Sequence, residues 1–106
     1  MEYSNNINLN LYRVFYYVAK EKSITGAAKR LYISQPAISK SLKKLEEELA
    51  VELFSRNLNG VELTEEGKIL FAYVEKSLKN IKAAENALSI YKTIPVKQES
   101  NWNYLN

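Results

Sequence analysis

The chain has 106 residues and a formal net charge of +3, and it contains neither cysteine nor histidine. Those two absences exclude disulfide bonds, thiolate or imidazole zinc sites, and any Cys or His nucleophile or general base. The apolar content of 46% and the charged content of 25% are typical of one compact globular domain. We therefore expect binding rather than catalysis, with no cofactor, no metal site and no enzymatic activity.

The spacing of apolar residues predicts three helices in the first half of the chain. The first covers about 9–20 and is capped by Asn8, the second covers about 24–31 after Ser23, and the third covers about 35–49 after Ser34. The residues expected to face the core are Leu11, Val14, Phe15, Val18, Ala19, Ala27, Ala28, Leu31, Ile33, Ile38, Leu42, Leu45 and Leu49.

A small β-hairpin is predicted next. Two short, partly alternating runs, 53–56 and 61–64, flank the Asn- and Gly-rich segment 57–60. The predicted first domain therefore comprises residues 1–64, with three helices followed by this hairpin. The fold class is mainly α.

A long helix is expected over 65–91, with Thr64 as its cap. Its apolar stripe consists of Phe71, Val74, Leu78, Ile81, Leu88 and Tyr91. A domain of about 60 residues is too small to bury such a long stripe, so the later positions, Leu78, Ile81 and Leu88, are predicted to pair with a second copy. The helical period is lost over 92–106, which is predicted to be a flexible tail.

Charge is unevenly distributed along the chain. Residues 20–44 carry seven Lys or Arg and one Glu, residues 45–66 carry seven Glu and one Arg, and residues 67–106 carry six Lys and three Glu. A basic block of that size indicates a polyanionic partner. The alternative is that the charges only cover solvated helix faces. No apolar run approaches the length of a membrane span, and we expect a cytoplasmic protein without membrane association.

Two short helices joined by a tight turn favour a helix-turn-helix, and the hairpin favours its winged variety. The stretch SITGAAKRLYISQPAIS, residues 23–39, resembles the amino-terminal signature of LysR-type transcriptional regulators. The resemblance continues with LKKLEEEL at 42–49, LFSR at 53–56 and GVELTEEG at 60–67. It implies a sequence-specific regulator whose winged helix-turn-helix binds double-stranded DNA. It also implies that the segment 65–91 is a linker helix that forms a homodimer on an interrupted palindrome.

The third helix is expected to enter the major groove, because an α-helix fits the width of that groove. Gln35 is the candidate for a bidentate contact with adenine, although first-turn solvation is its alternative role. The other base-reading candidates are Pro36, Ala37, Ser39 and Lys40, and the candidates for backbone contacts are Thr25, Lys29, Ser34, Lys43 and Arg56. Pro36 is equally a helix starter, and Ser34 is equally a cap.

Two positions depart from the family pattern. The predicted wing tip reads Asn57-Leu58-Asn59, where relatives often carry a second basic residue after the wing arginine, here Arg56. Ala50 stands where a glycine is usual after the third helix. Weaker wing contacts and a more costly helix end are therefore expected.

Nothing in the chain resembles the effector-binding domain with which a full family member continues. The chain is either a piece of a longer regulator or a short natural protein, and we expect no small-molecule effector site in it. Two other function classes remain open. A non-specific architectural DNA-binding protein would explain the basic block, and a protein-interaction module would explain the long helix.

Overall fold

The computed structural model describes residues 7–92, so the predicted tail lies outside the described residues except for Lys92. The elements are α1 (Leu9–Glu21), α2 (Ile24–Leu31), α3 (Gln35–Leu49), β1 (Phe54–Asn57), β2 (Gly60–Leu63), α4 (Glu65–Leu88) and a short 3-10 helix (Ser89–Tyr91). By compactness the chain divides into an N-terminal unit, which ends at Lys76, and a C-terminal unit, which begins at Ser77. The predicted order of three helices, a hairpin and a long helix is confirmed.

The three predicted caps begin their helices. The side-chain oxygens of Asn8, Ser23 and Ser34 accept hydrogen bonds of 2.9–3.2 Å from backbone N–H groups two or three residues further on. Each bond satisfies one of the amide groups that a helix start leaves without a partner. Short polar residues before apolar periods therefore fixed these boundaries.

The same three helices end on left-handed residues that are not glycine. Lys22, Tyr32 and Ala50 have φ values of 55°, 59° and 60°. This conformation costs a residue with a Cβ roughly 1 kcal/mol more than it costs glycine. Ala50 therefore carries the more costly helix end that the sequence predicted.

The core of the N-terminal unit is formed by one face of each of the first three helices, together with Leu53 and Val61. Its buried residues are Leu11, Val14, Phe15, Val18, Ala27, Ala28, Leu31, Ile38, Leu42, Leu45, Leu53 and Val61. Two predicted core residues are wrong, since Ile33 and Leu49 remain 37% and 38% exposed, and Ala19 is only partly buried. Ile33 lies in the turn between α2 and α3. Leu49 is the last residue of α3, beyond which the chain leaves through left-handed Ala50.

The hairpin is antiparallel, with Phe54 paired with Leu63 and Asn57 paired with Gly60. Gly60 adopts a φ of +128°, and a Cβ built on it would lie 2.8 Å from the carbonyl oxygen of Lys22. Only glycine combines that backbone conformation with so close an approach. The end of the hairpin nearest its tight turn is therefore held against the residue that ends α1.

The start of α4 is fixed by Thr64. Its hydroxyl accepts a hydrogen bond from the Gly67 amide at 2.9 Å and donates one to the Glu52 carbonyl at 2.6 Å. Gly67 is buried, and a Cβ on it would collide with the carbonyl oxygen of Leu53. Further along, Phe71 stacks on Tyr16 with ring centroids 5.5 Å apart. The early turns of α4 therefore pack against α1.

The α-helical part of α4 ends at Leu88, three residues before the predicted end, and a 3-10 turn follows. The Ser89 hydroxyl donates a 2.6 Å hydrogen bond to the Asn86 carbonyl, and the Lys92 amide bonds to the Ser89 carbonyl. A serine that bonds back to the preceding turn favours this tighter winding. None of the helices between residues 7 and 92 has the length and apolarity needed to cross a membrane.

Candidate nucleic-acid interface

α3 has one buried face and one exposed face. Ile38, Leu42 and Leu45 are buried, which fixes the rotation of the helix about its axis. The predicted base-reading residues Gln35, Pro36 and Lys40 are exposed, and Ala37 and Ser39 are partly buried at the edges of the core face. The predicted backbone contact Lys43 is exposed one turn beyond Ser39. The structure therefore brings these residues together on the outer side of one helix.

The polar side chains on this face have no partners among the described residues. Within residues 7–92, the side chains of Gln35, Lys40 and Lys43 make no hydrogen bond, ion pair or ring contact. Buried polar groups need partners, but exposed ones need none for folding. These three side chains are therefore available to a ligand outside the chain.

The two neighbouring basic side chains of α2, Lys29 and Arg30, differ in their contacts. Arg30 donates to the Glu21 carboxylate at 3.0 Å and lies over the Tyr17 ring at 5.1 Å. Lys29 is exposed and has no such partner among the described residues, and Thr25 is exposed in the first turn of the same helix. Arg30 is therefore engaged by contacts within the domain, whereas Lys29 is available to a ligand outside the chain.

Ser34 stands at the junction of α2 and α3. Its Oγ accepts the capping hydrogen bond from the Ala37 amide at 3.2 Å, so the capping role expected from the sequence is present. A hydroxyl that accepts one bond still has a proton to donate. Ser34 is exposed and retains that donor beside the start of α3.

The wing, residues 54–63, presents one basic side chain. Arg56 is exposed on β1, opposite Val61. At the tip, the Asn57 side chain accepts a 2.8 Å hydrogen bond from the Asn59 amide, and Leu58 is fully exposed. The tip is thus a turn held by its own hydrogen bond, and it carries an apolar side chain in place of a second cation, as the sequence indicated.

The carboxylate of Glu46 has a role that the sequence alone did not reveal. It accepts hydrogen bonds from the backbone N–H groups of Leu53 at 2.7 Å and Phe54 at 3.3 Å. Glu46 follows Leu42 by one helical turn, so it lies at the edge of the buried stripe. That position distinguishes it from exposed Glu47 and Glu48, and is the signal by which it was recognisable.

Comparison with known proteins matches the part of the chain that contains α3 and the wing. The family described as "Bacterial regulatory helix-turn-helix protein, lysR family" matches residues 9–68. The HTH-type transcriptional regulator CzcR of Bacillus subtilis is 44% identical over 73 residues, which are 69% of this chain and 25% of that protein. BudR of Klebsiella aerogenes, also described as an HTH-type transcriptional regulator, is 44% identical over 82 residues, 77% of this chain and 55% of that protein.

Solved structures give the same result for the fold. The crystal structure of the BenM DNA-binding domain with catB site 1 DNA superposes with a TM-score of 0.74 at 33% identity, over 83% of this chain and 99% of that one. The CbnR DNA-binding domain in complex with DNA gives 0.69 at 28% identity, over 80% and 98%. The chain thus has the winged helix-turn-helix architecture of these domains, and it spans about half or less of the two curated relatives.

Proposed function

The chain belongs to the lysR family of bacterial regulatory helix-turn-helix proteins, and from that premise we propose that it is a sequence-specific DNA-binding transcription regulator. Its partner is double-stranded DNA, and it performs no enzymatic reaction. The observation that carries the proposal is the outer face of α3, where polar side chains are exposed and have no partner among the described residues. DNA binding places the protein in the cytoplasm, at the nucleoid.

In this proposal α3 enters the major groove with its first turns. Gln35 pairs bidentately with an adenine edge, while Pro36 and Ala37 present apolar surface to a thymine methyl group. Ser39 and Lys40, one turn further on, reach base edges or the nearest phosphates. Direct pairing of this kind supplies the sequence preference.

The phosphate contacts surround that helix. Thr25 and Ser34 lie in or beside the first turns of α2 and α3, where backbone N–H groups favour an anion. Lys29, Lys43 and Arg56 supply charge without reading sequence. Arg30 already pairs with Glu21, so Lys29 is the cation of α2 that has no competing partner among the described residues.

We further propose that the regulator is a homodimer on an interrupted palindrome. Leu78, Ile81 and Leu88 recur at helical spacing, yet they are 39%, 56% and 62% exposed. Burial of such side chains is worth roughly 1.5–3 kcal/mol each, which favours pairing with a second copy. A two-fold symmetric dimer reads two related half-sites.

An anisotropy titration tests the DNA-binding proposal. The 106-residue chain is titrated into a labelled duplex taken from the DNA upstream of its own coding sequence, and into a scrambled duplex of equal composition. We expect tighter binding to the first and a steep loss of affinity with salt. Equal affinities at matched salt would instead identify a non-specific architectural protein, and no binding to either duplex would favour a protein-interaction module.

Two variants separate base reading from phosphate binding. Gln35→Ala should cost roughly 1–3 kcal/mol on the preferred duplex and little on the scrambled one. Arg56→Ala should weaken binding to both duplexes and flatten the salt dependence by about one phosphate. A uniform loss for Gln35→Ala would refute its base-reading role.

Sedimentation of the chain tests the dimer. Wild-type protein at tens of micromolar should sediment as a dimer, and the double variant Leu78→Glu/Ile81→Glu should sediment as a monomer with unchanged circular dichroism. Lys79→Glu/Lys82→Glu, which changes charge without touching the apolar positions, is the matched control. A wild-type monomer at these concentrations would exclude the dimer.

A further inference from the structure

Tyr32 holds an unfavourable backbone conformation. As the residue that ends α2 it has φ 59° and ψ 40°, and its amide bonds to the Ala28 carbonyl. The left-handed region is uncommon for residues other than glycine, asparagine and aspartate, and a bulky side chain there is an outlier. Glycine would end the helix at lower cost.

No interaction of the Tyr32 side chain within the described residues offsets this cost. The residue is 94% exposed, and within residues 7–92 its ring and hydroxyl make no hydrogen bond or ring contact. Other tyrosines of the unit are used, since Tyr16 stacks on Phe71 and Tyr17 lies under Arg30. A strained, unused aromatic residue is typical of a position kept for an external contact.

Its position places Tyr32 beside the proposed interface. It precedes Gln35 by three residues, so the two Cα atoms are at most about 11 Å apart. The major groove is about 12 Å wide and is bordered by the two phosphate strands. When Gln35 lies inside the groove, a residue within that separation can reach one of its borders, and in the chain Tyr32 stands between the proposed contacts Lys29 and Ser34.

We propose that Tyr32 is a further DNA-binding residue, whose phenol hydroxyl donates a hydrogen bond to a backbone phosphate at the border of the groove that α3 enters. Tyrosine is among the side chains that make such contacts, which position a protein on DNA without reading sequence. The inference rests on the proposed function, because it assumes that the face of α3 meets DNA.

The test compares three variants of the 106-residue chain on the two duplexes described above. Tyr32→Phe keeps the ring and the strain but removes the hydroxyl, and we expect roughly tenfold weaker binding to both duplexes. The slope of affinity against salt should stay unchanged, because an uncharged hydroxyl releases no counterion. Tyr32→Gly should weaken binding at least as much and raise Tm by a few degrees, because it relieves the left-handed residue.

Ala50→Gly is the matched control. It relieves the same backbone conformation at the other end of α3, about 20 Å from Gln35 along the helix. It should raise Tm as Tyr32→Gly does and leave DNA affinity unchanged. Opposite movements of stability and affinity in Tyr32→Gly alone would support the contact, because a merely structural role moves both in the same direction.

The outcomes separate the two proposals. If wild-type protein binds neither duplex, the proposed function fails. If wild-type protein binds and Tyr32→Phe binds equally well, the hydroxyl contact is overturned while the proposed function stands. A loss confined to the preferred duplex would also overturn it, since a phosphate contact is independent of sequence.

Discussion

The two parts of α4 share one apolar period but differ in burial. In the N-terminal unit, Leu70, Phe71 and Val74 pack against the core, whereas every side chain between 77 and 92 is exposed. Leu78 and Ile81 continue the same spacing without cover. A periodic stripe thus predicts a helix in both parts, but it does not distinguish a stripe covered by the same chain from one available to a partner.

The two parts also differ in how the backbone is held. In the N-terminal unit, Thr64 and Glu46 bond to the backbone of distant segments. Between residues 78 and 92, the hydrogen bonds and ion pairs run within the helix or its last turn, such as Ser89 to Asn86 and Lys82 to Glu85. Substitutions should therefore affect global unfolding in the first part and remain local in the second.

The largest expected effect is that of Gly67→Ala. Alanine favours helices, but its Cβ would collide with the Leu53 carbonyl, which is backbone and cannot rotate away. Overpacking of this kind should lower the free energy of unfolding by about 3 kcal/mol in urea denaturation. In the control Gly26→Ala, the new Cβ lies 3.1 Å from the side chain of Glu21 and should change stability by less than about 1 kcal/mol. Similar values for both variants would contradict the close approach at Gly67.

A smaller loss is expected for Glu46→Ala. Two backbone N–H groups at the start of β1 would lose their acceptor, which should lower the free energy of unfolding by about 2 kcal/mol. Glu47→Ala removes the neighbouring exposed carboxylate and should stay within about 0.5 kcal/mol of wild type. Equal losses would show that charge, rather than the bonds to β1, determines stability.

The smallest effect is expected for a pair of substitutions, one in each part of α4, which directly tests whether the two parts differ. Ala72 and Ala84 are both exposed, and glycine should cost about 1 kcal/mol of helix stability at either position. The loss should appear in global unfolding for Ala72→Gly. For Ala84→Gly, measured in the Leu78→Glu/Ile81→Glu background to remove pairing, it should appear only as faster local hydrogen exchange. If both variants lowered the urea midpoint of global unfolding equally, α4 would unfold as one cooperative unit with the domain.

Local rules were sufficient for most of the fold. The caps at Asn8, Ser23 and Ser34, and the turn residues of the wing, each act within a few residues and were legible in the sequence. The two residues wrongly assigned to the core lie in a turn and at a helix end. At such positions the spacing of apolar residues does not predict whether a side chain is buried. The end of α4 was overestimated because a serine that bonds backward is not visible as a break in the apolar stripe.

The candidate interface was predictable as a set of residues but not as a set of available groups. The sequence placed Lys29 and Arg30 together, and only the structure shows that Arg30 is paired with Glu21, nine positions earlier. Glu46 and Gly67 depend in the same way on Leu53, which is distant in sequence and adjacent in space. The partners in tertiary contacts of this kind cannot be assigned from local spacing, even where a position beside the buried stripe marks the residue, as it does for Glu46.

The Glu46 carboxylate has a mechanical consequence for DNA. It joins the body of α3 directly to the first strand of the wing, and these bonds oppose a hinge motion between α3 and the wing. A binding site whose groove does not match this fixed spacing would itself have to bend or twist. In the proposed complex, easily deformed base steps between the contacts of α3 and the wing would then favour binding, although no side chain touches them.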